Sequence, residues 1–301
     1  MLDGAMTAMT TPMHDDGAID FHEFKRQIEF QIKNGIKGVV VLGTTGEAEN
    51  IEHDEREQLI RIAVENFKKP GERFVFVGTG SAKYKEMIYN TEQAKDLGAD
   101  AAMVVTPPYV KPNKKGLISY FEEAQKIMKT LVYDISGRTG RQITDEEFKS
   151  ILQFENVIGV KAASGDLNQI TNLINNIALP IQKTGRDMRV FSGDDKLTVP
   201  VRHAGGSGVI SVASNAIPDR IQKLAKLTDG VSESWKEARA LEPFINALFN
   251  FEGNPASIKY IMWLNKQIES YYARPPYGDL QDANKQKIRE IVTPYFQNIR
   301  A

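Results

Sequence analysis

Cysteine is absent from this chain of 301 residues. Its absence excludes disulfides, thiolate nucleophiles and cysteine-ligated metal sites. An excess of either charge is lacking too, since 38 lysines and arginines against 39 aspartates and glutamates leave a formal net charge of -1. Nothing electrostatic therefore favours nucleic acid or an anionic membrane as a partner. No apolar run approaches the roughly 18 residues needed to span a bilayer. The opening "MLDGAMTAMTTP" has no basic segment followed by an apolar one, so no secretory signal is expected and the default location is cytoplasmic. Nucleotide-binding folds lose their usual signals, because no GxGxxG follows the first strand and no GxxxxGK[ST] occurs.

The composition that remains, 41% hydrophobic and 26% charged, is that of an ordinary globular protein. Eight short β-rich runs recur: "AMTAMTTP", "GVVVLGTTGE", "RFVFVGTGS", "AAMVVTPPY", "LVYDISGRTG", "VIGVKAASGD", "RVFSGDD" and "GVISVASN". Their apolar residues are nearly continuous rather than alternating, which predicts parallel strands covered on both faces. Helical periodicity separates most of them. "IDFHEFKRQIEFQIKNG" puts Phe21, Phe24, Ile28 and Ile32 on one face before a stop at Gly35. "TDEEFKSILQF" opens on Thr144 with Glu147 three residues later, a capping box. Eight β/α units in roughly 215 residues predict a closed (β/α)8 TIM barrel over residues 1–225. Beyond it, "DRIQKLAKLTD", "SESWKEARALEPFINALFNFEG", "ASIKYIMWLNKQIE" and "DANKQKIREIVTPYFQNI" read as helices. A C-terminal helical extension is expected over residues 226–301.

Chemistry in such a barrel collects at the C-terminal ends of the strands. There the sequence places Thr44 and Thr45 after strand 2, Pro108 and Tyr109 after strand 4, and Tyr133 with the following Arg138 on strand 5. Lys161 lies on strand 6, Gly193 closes strand 7 and Ile210 is on strand 8. Lys161 stands out because Val157, Ile158, Val160, Ala162 and Ala163 around it read as a buried strand, and a lysine is rarely buried unless paired or working. Apolar surroundings favour the neutral amine, which is the nucleophile that forms a Schiff base with a carbonyl. A tyrosine beside it can carry protons through carbinolamine formation and collapse. Taken singly, each residue has a plainer role: Lys161 as a strand-end lysine reaching to solvent, Tyr133 as core, "GTTG" as a turn, Arg138 as a solvated charge. Their convergence on one barrel mouth favours the chemical reading.

"GTTGE" (43–47), "YDISGRTG" (133–140), "GVKAASGD" (159–166), "FSGDD" (191–195), "GVISVASN" (208–215) and "EGNPASIK" (252–259) occur in an order and spacing that resembles the dihydrodipicolinate synthase and N-acetylneuraminate lyase family of class I aldolases. The resemblance implies pyruvate Schiff-base chemistry with neither metal nor organic cofactor. Lys161 would be the Schiff-base lysine and Tyr133 the proton donor and acceptor. Thr44 and Tyr109 would complete a proton relay, Tyr109 reaching in from a neighbouring subunit of a homodimer or homotetramer. Thr45, Gly193 and Ile210 would contact substrate. Arg138 marks the dihydrodipicolinate synthase branch, where an arginine here takes the carboxylate of L-aspartate 4-semialdehyde; sialic-acid lyases carry an apolar residue.

Three positions depart from the family pattern: Asp134-Ile135-Ser136 after Tyr133, Ala162 after the lysine, and Pro108 before Tyr109. They would reshape the pocket for the second substrate. Other readings are a lyase acting on N-acetylneuraminate or on 2-keto-3-deoxy sugar acids, and a barrel without activity that senses a keto acid. Intact Lys161, Tyr133, Thr44 and Arg138 argue against the last. In lysine-regulated members the effector site uses residues matching His53, Arg56, Ala82, Glu86 and Pro108 here, so weak or absent feedback by lysine is expected.

Overall fold

A computed structural model of the protein describes residues 3–226, 230–297 and 299–300. Eight parallel strands follow one another around a closed barrel. They are β1 (Gly4–Ala8), β2 (Gly38–Val41), β3 (Phe74–Gly78), β4 (Ala101–Val105), β5 (Thr130–Asp134), β6 (Val157–Ala162), β7 (Arg189–Ser192) and β8 (Gly208–Ser211). Each of the eight β-rich runs of the sequence contributes one strand. The strands are buried almost throughout, β1, β2, β5 and β8 at every residue, as nearly continuous apolar runs require when helices cover the outside.

Side chains fill the barrel axis. Met6, Val40, Phe76, Leu131, Phe191 and Ile210 form an inner cluster that also takes in Tyr133. Outside the sheet, the helix Phe21–Lys33 buries Phe24 and Ile28 while Phe21 and Ile32 pack at its margin, the face expected from their spacing. The predicted capping box is present: the Thr144 hydroxyl accepts from the Glu147 N–H and the Glu147 carboxylate accepts from the Thr144 N–H. A second box, Glu52 with Glu55, opens the helix His53–Phe67.

After β8 the helix Pro218–Lys226 completes the ring. The last three residues of "DRIQKLAKLTD", 227–229, lie outside the described residues, as does residue 298 in the final predicted helix. Three further helices follow, Val231–Phe249, Ala256–Leu264 and Asp282–Val292. Leu241, Phe244, Ile258 and Ile261 from them join the same apolar cluster as Val39 of β2 and Val209 of β8, so barrel and extension share one core. Among the described residues no helix is long and apolar enough to cross a membrane.

Candidate active site

The register of the sheet brings the chemical residues together. Tyr133 on β5 is paired with Lys161 on β6, and Lys161 in turn with Phe191 on β7. Lys161 is 5% exposed and Tyr133 4%, and the Lys161 Nζ stands 4.3 Å from the centroid of the Tyr133 ring. No carboxylate lies within 4.0 Å of that nitrogen among the described residues. Gly193 accounts for some of the space the lysine occupies. A Cβ there would fall 2.4 Å from the Ala163 Cβ and 3.2 Å from the Lys161 Cε, so any larger residue would collide with Ala163, just past the strand carrying the lysine, and crowd the lysine itself.

A second buried lysine gives the comparison that decides how to read the first. Lys259, on the helix Ala256–Leu264, is fully buried and its Nζ forms an ion pair with the Glu47 carboxylate. It also donates to the Tyr272 carbonyl at 2.7 Å, while the other Glu47 oxygen accepts from the Arg274 N–H at 2.9 Å. A buried lysine with a structural task is thus charge-paired and hydrogen-bonded, as desolvation demands. Lys161 has neither provision among the described residues.

Glu47 ends the "GTTGE" turn in the left-handed region, at φ 58°, a conformation costly for a non-glycine residue unless its surroundings hold it. The ion pair with Lys259 and the Arg274 N–H supply that hold, fastening the strand-2 turn to the C-terminal extension. Asn254 adds a second tie. Its Nδ2 donates to the Thr45 hydroxyl at 3.0 Å and its carbonyl accepts from an Arg138 guanidinium nitrogen at 3.0 Å. Two motifs about 200 residues apart in sequence therefore build one mouth.

Above the barrel axis lies a cavity of about 180 Å³. Thr44, Tyr133 and Arg138 line it, with Pro108 on another side. Lys161 is not on its wall but adjoins it through the Tyr133 ring. Thr45 is buried against Asn254, and Ile210 is fully buried in the barrel interior. Tyr109 has no place in this chain's own cavity: it is 91% exposed, at φ 69°, beyond the end of β4.

The cavity also holds two residues that sequence reasoning missed, Glu49 and Tyr277. Burial raises the Glu49 carboxyl, opposed by the Arg56 charge and reinforced by Glu86. Burial also raises the Tyr277 phenol, while the Arg138 cation lowers it. Asp195 was missed as well. It is fully buried just past β7 and accepts from the Ser211 hydroxyl and from the N–H groups of Val212 and Ala213, at 3.0 and 3.2 Å. It thereby fixes the end of β8 beyond Ile210. Burial pushes its carboxyl up to about 6, and does the same to Asp134, the residue next to Tyr133.

Comparisons with known proteins agree over the whole molecule. A profile of the dihydrodipicolinate synthetase family matches residues 1–294. The 4-hydroxy-tetrahydrodipicolinate synthase of Protochlamydia amoebophila is 37% identical over 297 residues, 97% of this chain and 96% of that protein. Among solved structures, the dihydrodipicolinate synthase of Thermotoga maritima superposes with a TM-score of 0.90 at 32% identity, covering 98% of each chain. The chloride-inhibited enzyme from Acinetobacter baumannii, complexed with pyruvate, gives a TM-score of 0.89 at 28% identity over 97% of this chain and 98% of that one.

Proposed function

From the premise that this chain belongs to the dihydrodipicolinate synthetase family, we propose that it is a 4-hydroxy-tetrahydrodipicolinate synthase, condensing pyruvate with L-aspartate 4-semialdehyde through a Schiff base on Lys161. The observation that carries this reading is the contrast between its two buried lysines: Lys259 is paired with Glu47, whereas Lys161 lies unpaired against Tyr133 at the strand ends.

The chemistry follows from that placement. The Lys161 amine attacks C2 of pyruvate, and the carbinolamine loses water to give an imine. The protonated imine withdraws electrons, so a C3 proton leaves and an enamine forms; no metal or organic cofactor is needed for that step. The enamine carbon then adds to the aldehyde carbon of the second substrate, whose oxygen takes up a proton. Tyr133 stands where a phenol can shuttle these protons, with Thr44 on the same cavity wall. Arg138 supplies a guanidinium for the second substrate's carboxylate, a planar fork suited to two parallel hydrogen bonds. The second substrate's amino group, once deprotonated, then adds to the imine carbon, closing the six-membered ring and displacing the Lys161 amine.

In this account Thr45, Gly193 and Ile210 shape the pyruvate site from behind the lysine. The 91% exposure of Tyr109 suits a residue whose phenol serves a second copy of the chain, so the working enzyme is a homodimer or larger, acting in the cytoplasm. The deciding assay measures pyruvate consumption with L-aspartate 4-semialdehyde beside pyruvate formation from N-acetylneuraminate. Rapid turnover of the first pair alone is expected. Preference for the sugar acid would overturn the assignment in favour of a lyase.

A further inference from the structure

We infer that Glu49 and Tyr277 form, with Arg138, a recognition site for a zwitterionic α-amino acid aldehyde: Glu49 receives the ammonium group, and Tyr277 donates to the carboxylate that Arg138 binds. This inference rests on the proposed condensation and names what selects its second substrate.

The cavity wall presents one cation, one carboxylate and one phenol. Among the described residues the Glu49 carboxylate takes part in no hydrogen bond or ion pair, and neither does the Tyr277 hydroxyl. Among the described residues the Arg138 guanidinium donates only to the Asn254 backbone carbonyl and has no carboxylate partner. Arg56 is the cation whose charge acts on Glu49, but among the described residues the two form no ion pair, and the buried Arg56 guanidinium donates to the Gly78 carbonyl at 3.0 Å.

Opposite charges left unpaired in one small cavity fit a ligand carrying both. A keto acid with hydroxyl groups would use Arg138 and leave the Glu49 carboxylate without an ion-pair partner. The α-carbon of an amino acid bears a carboxylate and an ammonium side by side, and its charges match the pair. Tyr277 lines the same cavity as Arg138 and Glu49, so its phenol can share the end of the ligand that they hold. It arrives from the segment after the helix Ala256–Leu264, next to the Arg274 anchor that ties this segment to Glu47 and Glu55.

Succinic semialdehyde isolates the ammonium, because it is the same aldehyde with hydrogen in place of the amino group. The kinetics of L-aspartate 4-semialdehyde and the inhibition constant of succinic semialdehyde are to be measured for wild type, Glu49→Gln, Glu49→Ala and Tyr277→Phe. Borohydride trapping of pyruvate on Lys161 serves as the folding control for each. Both Glu49 variants should lower kcat/KM for the amino aldehyde roughly tenfold or more, the scale of a charged hydrogen bond. Inhibition by succinic semialdehyde should change by less than about twofold in those variants. Tyr277→Phe should weaken both ligands together. A parallel loss of both ligands in the Glu49 variants, or no loss of either, would overturn the inference alone. A wild-type protein that traps pyruvate on Lys161 but consumes no L-aspartate 4-semialdehyde would overturn the underlying function and this inference with it.

Discussion

Replacing Lys259 by methionine removes the charge while keeping the length and the apolar stem of the side chain. Glu47 is 1% exposed, and after the change its carboxylate would retain the Arg274 N–H at 2.9 Å but lose its direct ion pair, since the Arg274 guanidinium is bound to Glu55. Breaking a buried pair from one side costs about 3–5 kcal/mol, because the remaining charge has no partner and no water. For a chain of this size that corresponds to a fall in Tm of roughly 5–8 °C. Glu47→Gln combined with Lys259→Met removes both charges and should recover most of the loss, since two neutral groups of similar volume carry little desolvation penalty. The assay is thermal and chemical unfolding of the wild type, both single variants and the double variant at one protein concentration. A Lys259→Met protein within about 1 kcal/mol of wild type would refute the reasoning, as would a double variant no more stable than the single ones. The single variants should also lose activity at temperatures where they remain folded, because Glu47 ends the turn carrying Thr44 and Thr45.

Tyr133→Phe should cut turnover about 10²-fold or more yet shift stability by less than about 1 kcal/mol, since the phenol makes no hydrogen bond among the described residues; an unfolded variant would reveal a packing role instead. Asp195→Asn should alter the pH dependence of stability. Burial raises this carboxyl to about 6, so the native state holds its proton more tightly than the unfolded chain between pH 4 and 6. The group therefore lowers stability as pH rises through that window, and the variant should lose about 1–3 kcal/mol less across it, with urea titrations at several pH values as the check. L-Lysine at millimolar concentration should inhibit weakly: His53 already faces Glu86 at 3.4 Å, Arg56 is buried, and Ala82 and Pro108 offer no side-chain hydrogen bond. Clear saturable inhibition would contradict that reading.

The barrel was legible because parallel strands covered on both faces leave uninterrupted apolar runs, and turn residues punctuate them at regular spacing. Lys161 was legible for the same reason, as a charge inside such a run. Lys259 interrupts an equally apolar stretch, "ASIKYIMWL", so apolar context alone cannot separate the proposed Schiff-base lysine from the ion-paired one. What separates them is Glu47, 212 residues away, which the fold brings to one lysine and not the other. Glu49 and Tyr277 escaped notice because a surface glutamate and a loop tyrosine have no periodicity to violate. Only the folded chain shows that both stand on the cavity of Arg138. In "FSGDD" Gly193 reads as the strand end, yet it is Asp195, two residues on, that turns inward to receive the β8 backbone. That choice depends on where two N–H groups of a neighbouring strand end lie.

The central claim is that Lys161 is the amine that takes pyruvate. Incubation with pyruvate and borohydride, followed by peptide mass spectrometry, tests it without reference to the second substrate. A single three-carbon adduct on Lys161 is expected, with Lys259 unmodified and no labelling when pyruvate is omitted. The absence of an adduct, or its appearance on Lys259 or another lysine, would contradict the account.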